Sequence, residues 1–294
     1  MKLSIVTINY NCSEETVNFL NCLKEQTDPD FDVIVIDNAS QSEDTDRLDN
    51  LIGQIRDSFT HLIFVKNHEN TGFSGGCNLG IARALQNGAN WVLLLNPDIS
   101  LQKTLLASIK AILSENQGVV GLALDEGQNM AYYGQIEWLR ATLKHAHNPA
   151  NYISKNFYII GGAMLINSAV FEKIGFLDEA YFLYFEDADF SIRARRAGFN
   201  LGISPNIKIR HNVSSSTSKI GAPLLLRYHM RNALYFNHKN GPWYIGILLM
   251  PWSWFMMFKQ YIKILLRINI EESRAILKGI DDYYKNRMGK IVIK

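Results

Sequence analysis

The stretch that most constrains the fold is Trp91-Val92-Leu93-Leu94-Leu95-Asn96-Pro97-Asp98. Five apolar residues run without polar alternation, so a strand here must be covered on both faces, as strands of a parallel sheet are. Pro97 ends it, because proline cannot donate to a ladder. The Asp98 carboxylate then falls at the carboxyl end of a buried strand, where open α/β sheets place their ligands. Two readings stand at this point. Either Asp98 caps a helix beginning near Leu101, or it holds a hard cation such as Mg²⁺ or Mn²⁺ against a phosphate.

The residues before this stretch alternate strand and helix. Leu3 to Ile8 reads as a buried strand, and the loop Asn9 to Ser13 leads to a helix with Ser13 as its expected N-cap. Phe19, Leu20 and Leu23 point from that helix to the core. Asp32 to Ile36 is a second strand ending at Asp37. Leu48, Leu51, Ile52 and Ile55 mark a second helix by their spacing. His61 to Val65 is a third strand. Its following loop, Asn70-Thr71-Gly72-Phe73-Ser74-Gly75-Gly76-Cys77-Asn78, carries three glycines. They suit either a tight strand-to-helix turn or a close backbone approach to a ligand. It is not the spaced dinucleotide fingerprint, which would follow the first strand directly. The alternation predicts an α/β fold with a parallel, doubly wound sheet. Asp37 and the glycine loop then share one sheet edge with Asp98, which favours a nucleotide site.

Farther along, Leu101 to Glu115 reads as a helix and Val119 to Ala123 as a strand. Residues 125–156 lack clear periodicity and read as an irregular excursion over the site. Ile159 to Ile166 reads as a strand whose Gly161-Gly162 pair lets something approach closely. An aromatic, strand-like run from Tyr181 to Phe185 then ends in Glu186, Asp187 and Asp189, with a helix starting on these acids. The helix dipole favours their ionised forms, and an ionised carboxylate beside apolar walls suits a general base; alternatively they only cap and solubilise the helix. Asp189 and Arg193 are spaced to pair on that helix. His211 closes a short apolar run, and the serine-rich 213–218 after it reads as a segment able to close over a ligand.

Composition narrows the classes. A chain of 294 residues with 47% hydrophobic and 20% charged residues forms a sizeable core and is not a disordered protein. A net charge of +2 offers no field for nucleic acid. Three cysteines without metal spacing read as free thiols in a reducing compartment. The apolar run after Met1-Lys2 is too short for a signal-peptide core, so the expectation is a cytoplasmic protein.

In order along residues 3–240, Ser4 to Asn11, Val35 to Ser40, Asn70 to Gly76 with Asn78, Leu95 to Asp98, and Phe185 to Phe190 resemble the motifs of family 2 glycosyltransferases. His211 with Ser214 to Ser216, and Arg231-Asn232, extend the resemblance. It is nearest to bacterial rhamnosyltransferases of surface-polysaccharide assembly, the O-antigen type. The resemblance implies a GT-A fold, a mostly parallel doubly wound sheet with helices on both faces. It implies that Thr7, Asn9 and Asp37 hold the nucleoside, with Asn70, Gly72, Gly75, Asn78 and Asn96 also on the donor. Asp98 would ligate Mg²⁺ or Mn²⁺, with His211 as a second ligand. Asp187 would be the catalytic base, with Glu186 beside it contacting the acceptor. The family's first acid at the metal motif is Asn96 here, one negative charge fewer, a variant that also occurs in the rhamnosyltransferase-like branch.

The resemblance implies an inverting transfer from a nucleoside-diphosphate sugar, with rhamnose the first candidate, to a saccharide acceptor expected to be lipid-linked. The alternatives are another sugar (galactofuranose, glucose or galactose) or a non-catalytic sugar-nucleotide-binding module. A nucleotidyltransferase would need a basic glycine-rich loop near the N-terminus, and Asn9-Tyr10-Asn11 is not one. The expected division is a catalytic domain over 1–220, with a nucleotide half to about 123 and an acceptor half from 124, and a helical segment over 221–294. Gly221 to Asn237 reads as a helix. Pro242 to Phe258 is almost wholly apolar, rich in tryptophan, broken by Pro251 and followed by Lys259, Lys263 and Arg267. It is shorter than a membrane span, so residues 242–267 are expected to lie on the inner face of the cell membrane as a peripheral anchor. A hairpin packed on the catalytic domain or in a homodimer is the competing expectation.

Overall fold

A computed structural model gives the fold and describes residues 1–113, 118–151, 155–211 and 222–292. The serine-rich 213–218, expected to close over a ligand, and the expected helix start at Gly221 lie outside the described residues.

Strands β1 (Leu3–Asn9), β2 (Asp32–Asp37), β3 (His61–Lys66) and β4 (Trp91–Leu95) pair in parallel in the spatial order β3-β2-β1-β4. Helices α1 (Ser13–Lys24), α2 (Ser42–Ile55) and α3 (Gly72–Gln86) connect them. All five residues of β4 are buried because helices cover both faces. On one face lie α1, α2 and α4 (Leu105–Leu113), through Phe19, Leu48 and Ile109 among others. On the other lie α3, α5 (Ser168–Ile174) and α6 (Glu186–Arg196), through Ile81, Phe171 and Phe190. Each such fully buried side chain contributes about 1.5–3 kcal/mol of transfer free energy.

The second half departs from the expected mostly parallel sheet. The sheet is mixed, continuing β4-β11-β6-β12-β5, where β5 is Ile99–Ser100, β6 Gly118–Asp125, β11 Ala163–Asn167 and β12 Asn200–His211. β11 runs antiparallel to both β4 and β6, while β6 and β12 are parallel. Between them, β7 (Met130–Ala131) pairs with β6. The supposed irregular excursion is a three-stranded antiparallel sheet, β10 (Phe157–Tyr158) beside β8 (Tyr133–Glu137) beside β9 (Thr142–Ala146).

Several local expectations shift. Residues after Asp98 form β5, so Asp98 caps no helix, and the next helix starts at Leu105. Ser13 lies inside α1, with Cys12 at the cap position and no side-chain cap bond. The strand expected from Ile159 begins at Ala163, leaving Gly161-Gly162 in the turn before it. The run Tyr181 to Phe185 is not extended: Phe182, Tyr184 and Phe185 have left-handed φ of 65°, 69° and 75°.

At the C-terminal end, α7 (Ala222–Asn240), α8 (Trp243–Leu265) and α9 (Ile270–Tyr284) pack together through Leu234, Leu249 and Ile280. Pro251 does not break α8, which runs continuously through it. Ala233 and Phe236 of α7 also join the cluster formed by the small sheet, Phe185 and α6. No helix among the described residues is long and apolar enough to cross a membrane.

Candidate active site

The carboxyl edge of the large sheet opens on a cleft of about 490 Å³. Strand register explains which residues meet there. In the β12–β5 pairing, His211 lies opposite Ile99, which brings its ring beside the preceding residue, Asp98. His211 Nε2 stands 3.3 Å from Asp98 Oδ1. Asp98 is only 8% exposed, and Oδ1 makes no hydrogen bond. His211 Nδ1 is buried and equally unpartnered. The Asp98 carboxylate raises the imidazole above its ordinary pKa against the opposing effect of burial.

The β4–β11 register builds the opposite wall. Ala163 pairs with Leu95, so Gly162 faces Asn96, and the Asn96 amide donates to the Gly162 carbonyl at 3.2 Å. A Cβ on Gly162 would stand 3.1 Å from the Asn96 side chain, so the pair is packed as tightly as a missing side chain allows. Gly161 then donates its amide to Asp187 Oδ2 at 2.9 Å. The glycine pair therefore approaches protein groups, Asn96 and Asp187, and ties the residue before Asp98's turn to the acidic loop.

That loop is made by three consecutive constraints. The Phe182 carbonyl accepts the Phe73 amide at 2.7 Å, and a Cβ on Gly72, whose φ is +75°, would come within 2.2 Å of the same oxygen. Only glycine fits the first turn of α3 against this bend. Asn232 of α7 donates its side-chain amide to the carbonyls of Tyr181, Leu183 and Tyr184. Left-handed φ costs a bulky residue of order 1–3 kcal/mol, so the bend persists only because its surroundings over-determine it. Its outcome is that α6 begins at Glu186, with Glu186 and Asp187 on the cleft wall.

The acids differ in their partners. Asp187 accepts the Gly161 amide on Oδ2 and its neighbour Ala188's amide on Oδ1. Burial raises its pKa, and the two amides oppose the rise. Glu186 is 5% exposed with Oε2 unbonded, and burial, then the Asp187 charge, push it well above the usual carboxylate range. The expected ionisation by the helix dipole is thus overturned at Glu186, where desolvation is the larger effect. The Asp187 charge is one of the causes that raise Glu186, so the two carboxyls titrate together rather than independently. Asp189 is fully buried and faces Arg193 Nε at 2.7 Å, Asn240 at 2.8 Å and Lys239 at 2.8 Å.

Of the other sequence-selected residues, Asn70, Gly72 and Asn96 line the cleft, while Thr7, Asn9, Asp37, Gly75 and Asn78 do not. Asn9 and Asp37 pair across β1 and β2, with Asn9 Nδ2 donating to Asp37 Oδ1 at 2.8 Å. Asp37 also accepts from Ser40 and Thr45, so its oxygens are spent on closing the loop. Asn78 bonds Leu177 and Glu179. Gly75 packs under Thr71, and Thr7 is buried with an unpartnered hydroxyl. On this edge the cleft wall is formed by their neighbours Ile8, Tyr10 and Asn38.

Sequence reasoning missed His145, Glu126, Tyr158 and His229, all on the cleft. His145 Nδ1 is 2.8 Å from Glu126 Oε1. The link between β8 and β9 turns at Ala141 with φ of 51°, so the glycine or asparagine that signals a hairpin is lacking. With the turn hidden, period-two alternation in β8 and β9 gave no sign that His145 would face the site.

A divalent cation fits the Asp98–His211 pair. A buried carboxylate oxygen without a hydrogen bond beside an imidazole is a donor set suited to Mn²⁺ or Mg²⁺, whose remaining positions water and phosphate oxygens usually fill. Among the described residues no third histidine, cysteine or carboxylate completes a protein-only metal group.

This arrangement, a mixed sheet with a carboxylate–imidazole pair and an acidic loop on one cleft, defines a transferase of the GT-A architecture. Solved structures share the fold. Staphylococcus aureus TarS residues 1–349 in complex with UDP-GlcNAc superposes with a TM-score of 0.60 at 16% identity, over 97% of this chain and 81% of that one. The mannosyltransferase PcManGT of Pyrobaculum calidifontis, in complex with GDP-Man and Mn²⁺, does so with 0.56 at 13%, over 97% and 87%. The chain belongs to the family 2 glycosyltransferases, whose family model, Glycosyl transferase family 2, matches residues 4–175. Its relatives include the low-salt glycan biosynthesis hexosyltransferase Agl10 of Haloferax volcanii, 25% identical over 98% of this chain and 92% of the relative. The dTDP-rhamnosyl transferase RfbF of Shigella flexneri is 24% identical over 80% and 79%. The N-acetylglucosaminyl-diphospho-decaprenol L-rhamnosyltransferase of Mycobacterium tuberculosis is 21% identical over 82% and 86%. The protein is therefore a glycosyl-transfer enzyme that draws on sugar-nucleotide donors.

Proposed function

We propose that this enzyme transfers rhamnose from a nucleoside-diphosphate donor, with inversion, to a lipid-linked saccharide in cell-surface polysaccharide synthesis. The observation that carries the reading is that Asp98 with His211 and Glu186 with Asp187 line one cleft. The names of two rhamnosyltransferase relatives, one of them using a decaprenol-linked substrate, support the choice of sugar and acceptor.

Asp98 and His211 would hold Mg²⁺ or Mn²⁺. When bound, the cation supplies neutralisation of charge on the leaving diphosphate. Asn70, Gly72 and Asn96 contact the donor from the cleft wall. Thr7, Asn9, Asp37, Gly75 and Asn78 act beneath it, by fixing the loops on which those contacts stand. Asp187 takes the acceptor hydroxyl's proton as the oxygen forms its bond to the anomeric carbon and the carbon–diphosphate bond breaks. Displacement from the face opposite the leaving group inverts that centre, the geometry shared with inverting hydrolases. Glu186, whose carboxyl burial pushes above the usual range, lies beside Asp187 on the cleft wall and positions the acceptor. The Gly161 and Ala188 amides keep Asp187 the more acidic of the two.

The exposed face of α8 would rest on the inner leaflet. Trp243, Trp254, Phe255 and Phe258 are each more than half exposed, and no acid occurs from Pro242 to Ile270 while Lys259, Lys263 and Arg267 do. Apolar bodies at the acyl boundary with cations on head groups suit an in-plane helix.

The decisive experiment measures nucleoside-diphosphate release from dTDP-rhamnose, UDP-galactofuranose, UDP-glucose and UDP-galactose, with lipid-linked saccharide from a membrane extract as acceptor. Turnover of dTDP-rhamnose is expected, with an inverted linkage by NMR. Turnover of another donor would replace the sugar. Binding without release from any of them would mark a sugar-nucleotide-binding module instead. Asp187→Asn should lower turnover about 10²–10⁴-fold with donor affinity retained.

A further inference from the structure

The acids of the cleft are not held by their own domain half alone. Asn232 lies in α7, 51 residues beyond Tyr181, yet its amide is the donor to three carbonyls of the bend that ends at Glu186. Its carbonyl oxygen is fixed in turn, accepting Arg231 Nε at 3.0 Å. Arg231 is fully buried, with burial lowering its pKa to about 10. Rather than pairing with a carboxylate, its guanidinium donates to the backbone carbonyls of Tyr181, Arg287 and Gly289. The Gly289 amide closes the circuit by donating to the Ala180 carbonyl at 2.8 Å. On the outer side, Tyr228 stacks on Phe182 with ring centroids 5.3 Å apart, and its hydroxyl accepts the Ile291 amide.

We propose that Asn232 is a positioning residue for the glycosyl transfer: with Arg231 it clamps the 181–185 bend, in which Phe182, Tyr184 and Phe185 are left-handed, and so aims Glu186 and Asp187 at the acceptor. The C-terminal helices are then part of the catalytic apparatus and not an appendage to it. Three left-handed aromatic residues within four positions, Phe182, Tyr184 and Phe185, have no local reason to persist, because none is a glycine or asparagine. The carbonyls that this conformation turns inward are the ones Asn232 and Arg231 satisfy. Without the amide the bend relaxes towards extended backbone, and the acids that follow it move. Misplacement of a reacting group by about 1 Å costs on the order of 10²-fold in rate. The clamp touches neither Asp98 nor the glycine loop's cleft residues except through Phe182, so donor binding is spared.

The inference rests on the role proposed for Glu186 and Asp187, and its test has one arm that does not depend on that role. In Asn232→Ala, amide hydrogen exchange of a peptide covering 180–188 should accelerate at least tenfold, while peptides from β1 to β4 exchange as in wild type. With dTDP-rhamnose, or whichever of the four donors turns over, kcat should fall about 10²-fold. The KM for that donor should stay within twofold, with kcat referred to the folded fraction measured by circular dichroism, because loss of folded protein alone also lowers apparent kcat at constant KM. Unchanged exchange at 180–188 overturns the clamp whatever the donor. Accelerated exchange with kcat within threefold of wild type overturns its catalytic purpose. If Asn232→Ala does not fold, Tyr228→Leu removes the stack on Phe182 without exposing a buried carbonyl, and the same two readouts decide in the same way.

Discussion

Glu186 keeps Oε2 buried without a hydrogen bond, while both oxygens of Asp187 accept backbone amides. Stability should record the difference. The folded-state pKa of Glu186 is raised above its ordinary value of 4.5. Between those two values the native state binds more protons than the unfolded chain, so stability falls as pH rises. It is fully present below the ordinary value and lost as pH climbs through the folded one. Glu186→Gln removes the titration, so its melting temperature should gain on wild type as pH rises from 4.5 towards neutrality; parallel curves would refute the burial argument. Asp98 also has a buried oxygen without a hydrogen bond, and this one faces His211. In Asp98→Ala, Mn²⁺ binding followed by paramagnetic resonance should weaken at least tenfold and turnover should vanish, with the fold retained because a loop carboxylate carries little packing. Wild-type Mn²⁺ affinity in that variant would remove the metal role. Sequence alone could select Asp98, since a buried strand ends just before it. Its proximity to His211 was expected only from the family resemblance, because no local pattern carries a contact that depends on the pairing of Ile99 with a residue more than a hundred positions away.

Among the elements, those whose pattern is local were legible. β4 showed itself by five apolar residues, and α1 and α2 by their spacing. The elements that were misread are the ones whose conformation is imposed from outside. β11 is buried on both faces like a parallel strand but is antiparallel to both neighbours, a distinction that apolar content cannot carry. The aromatic run at 181–185 has strand-like composition, and tertiary hydrogen bonds override it. The first turn of α3 shows the same dependence from the other side. Its glycines suited either a tight turn or a ligand, and Gly72, which lines the cleft, is also pressed against the Phe182 carbonyl. Gly72→Ala should therefore cost about 2–4 kcal/mol, combining left-handed strain with overpacking, in chemical denaturation. A loss below about 0.5 kcal/mol, the range of neutral surface changes, would mean that the bend yields easily.

For the molecule as a whole, the apolar outer face of α8 is the feature that the packing of the three C-terminal helices leaves unused. Vesicle flotation should recover the protein with anionic vesicles and much less with neutral ones, and added salt should release it. Equal recovery would eliminate the electrostatic part. No recovery would favour a homodimer through this face, which sedimentation would then detect. Hydrogen bonds cross the expected division at residue 220, because Arg231 and Asn232 reach back into the loop that bears the acids. That connection has a consequence for synthesis on the ribosome. Chains emerge N-terminal end first, at about 5–20 residues per second. The sheet and the acids of the cleft are made before Asn232, and the segment around Gly289 later still. A chain cut short after β12 would hold the polar groups of the cleft yet lack the helix that secures the bend, so its acids would not be aimed for transfer. The apolar helix follows that clamp directly in the chain, so the residues that complete the enzyme and those that would carry it to a surface leave the ribosome together.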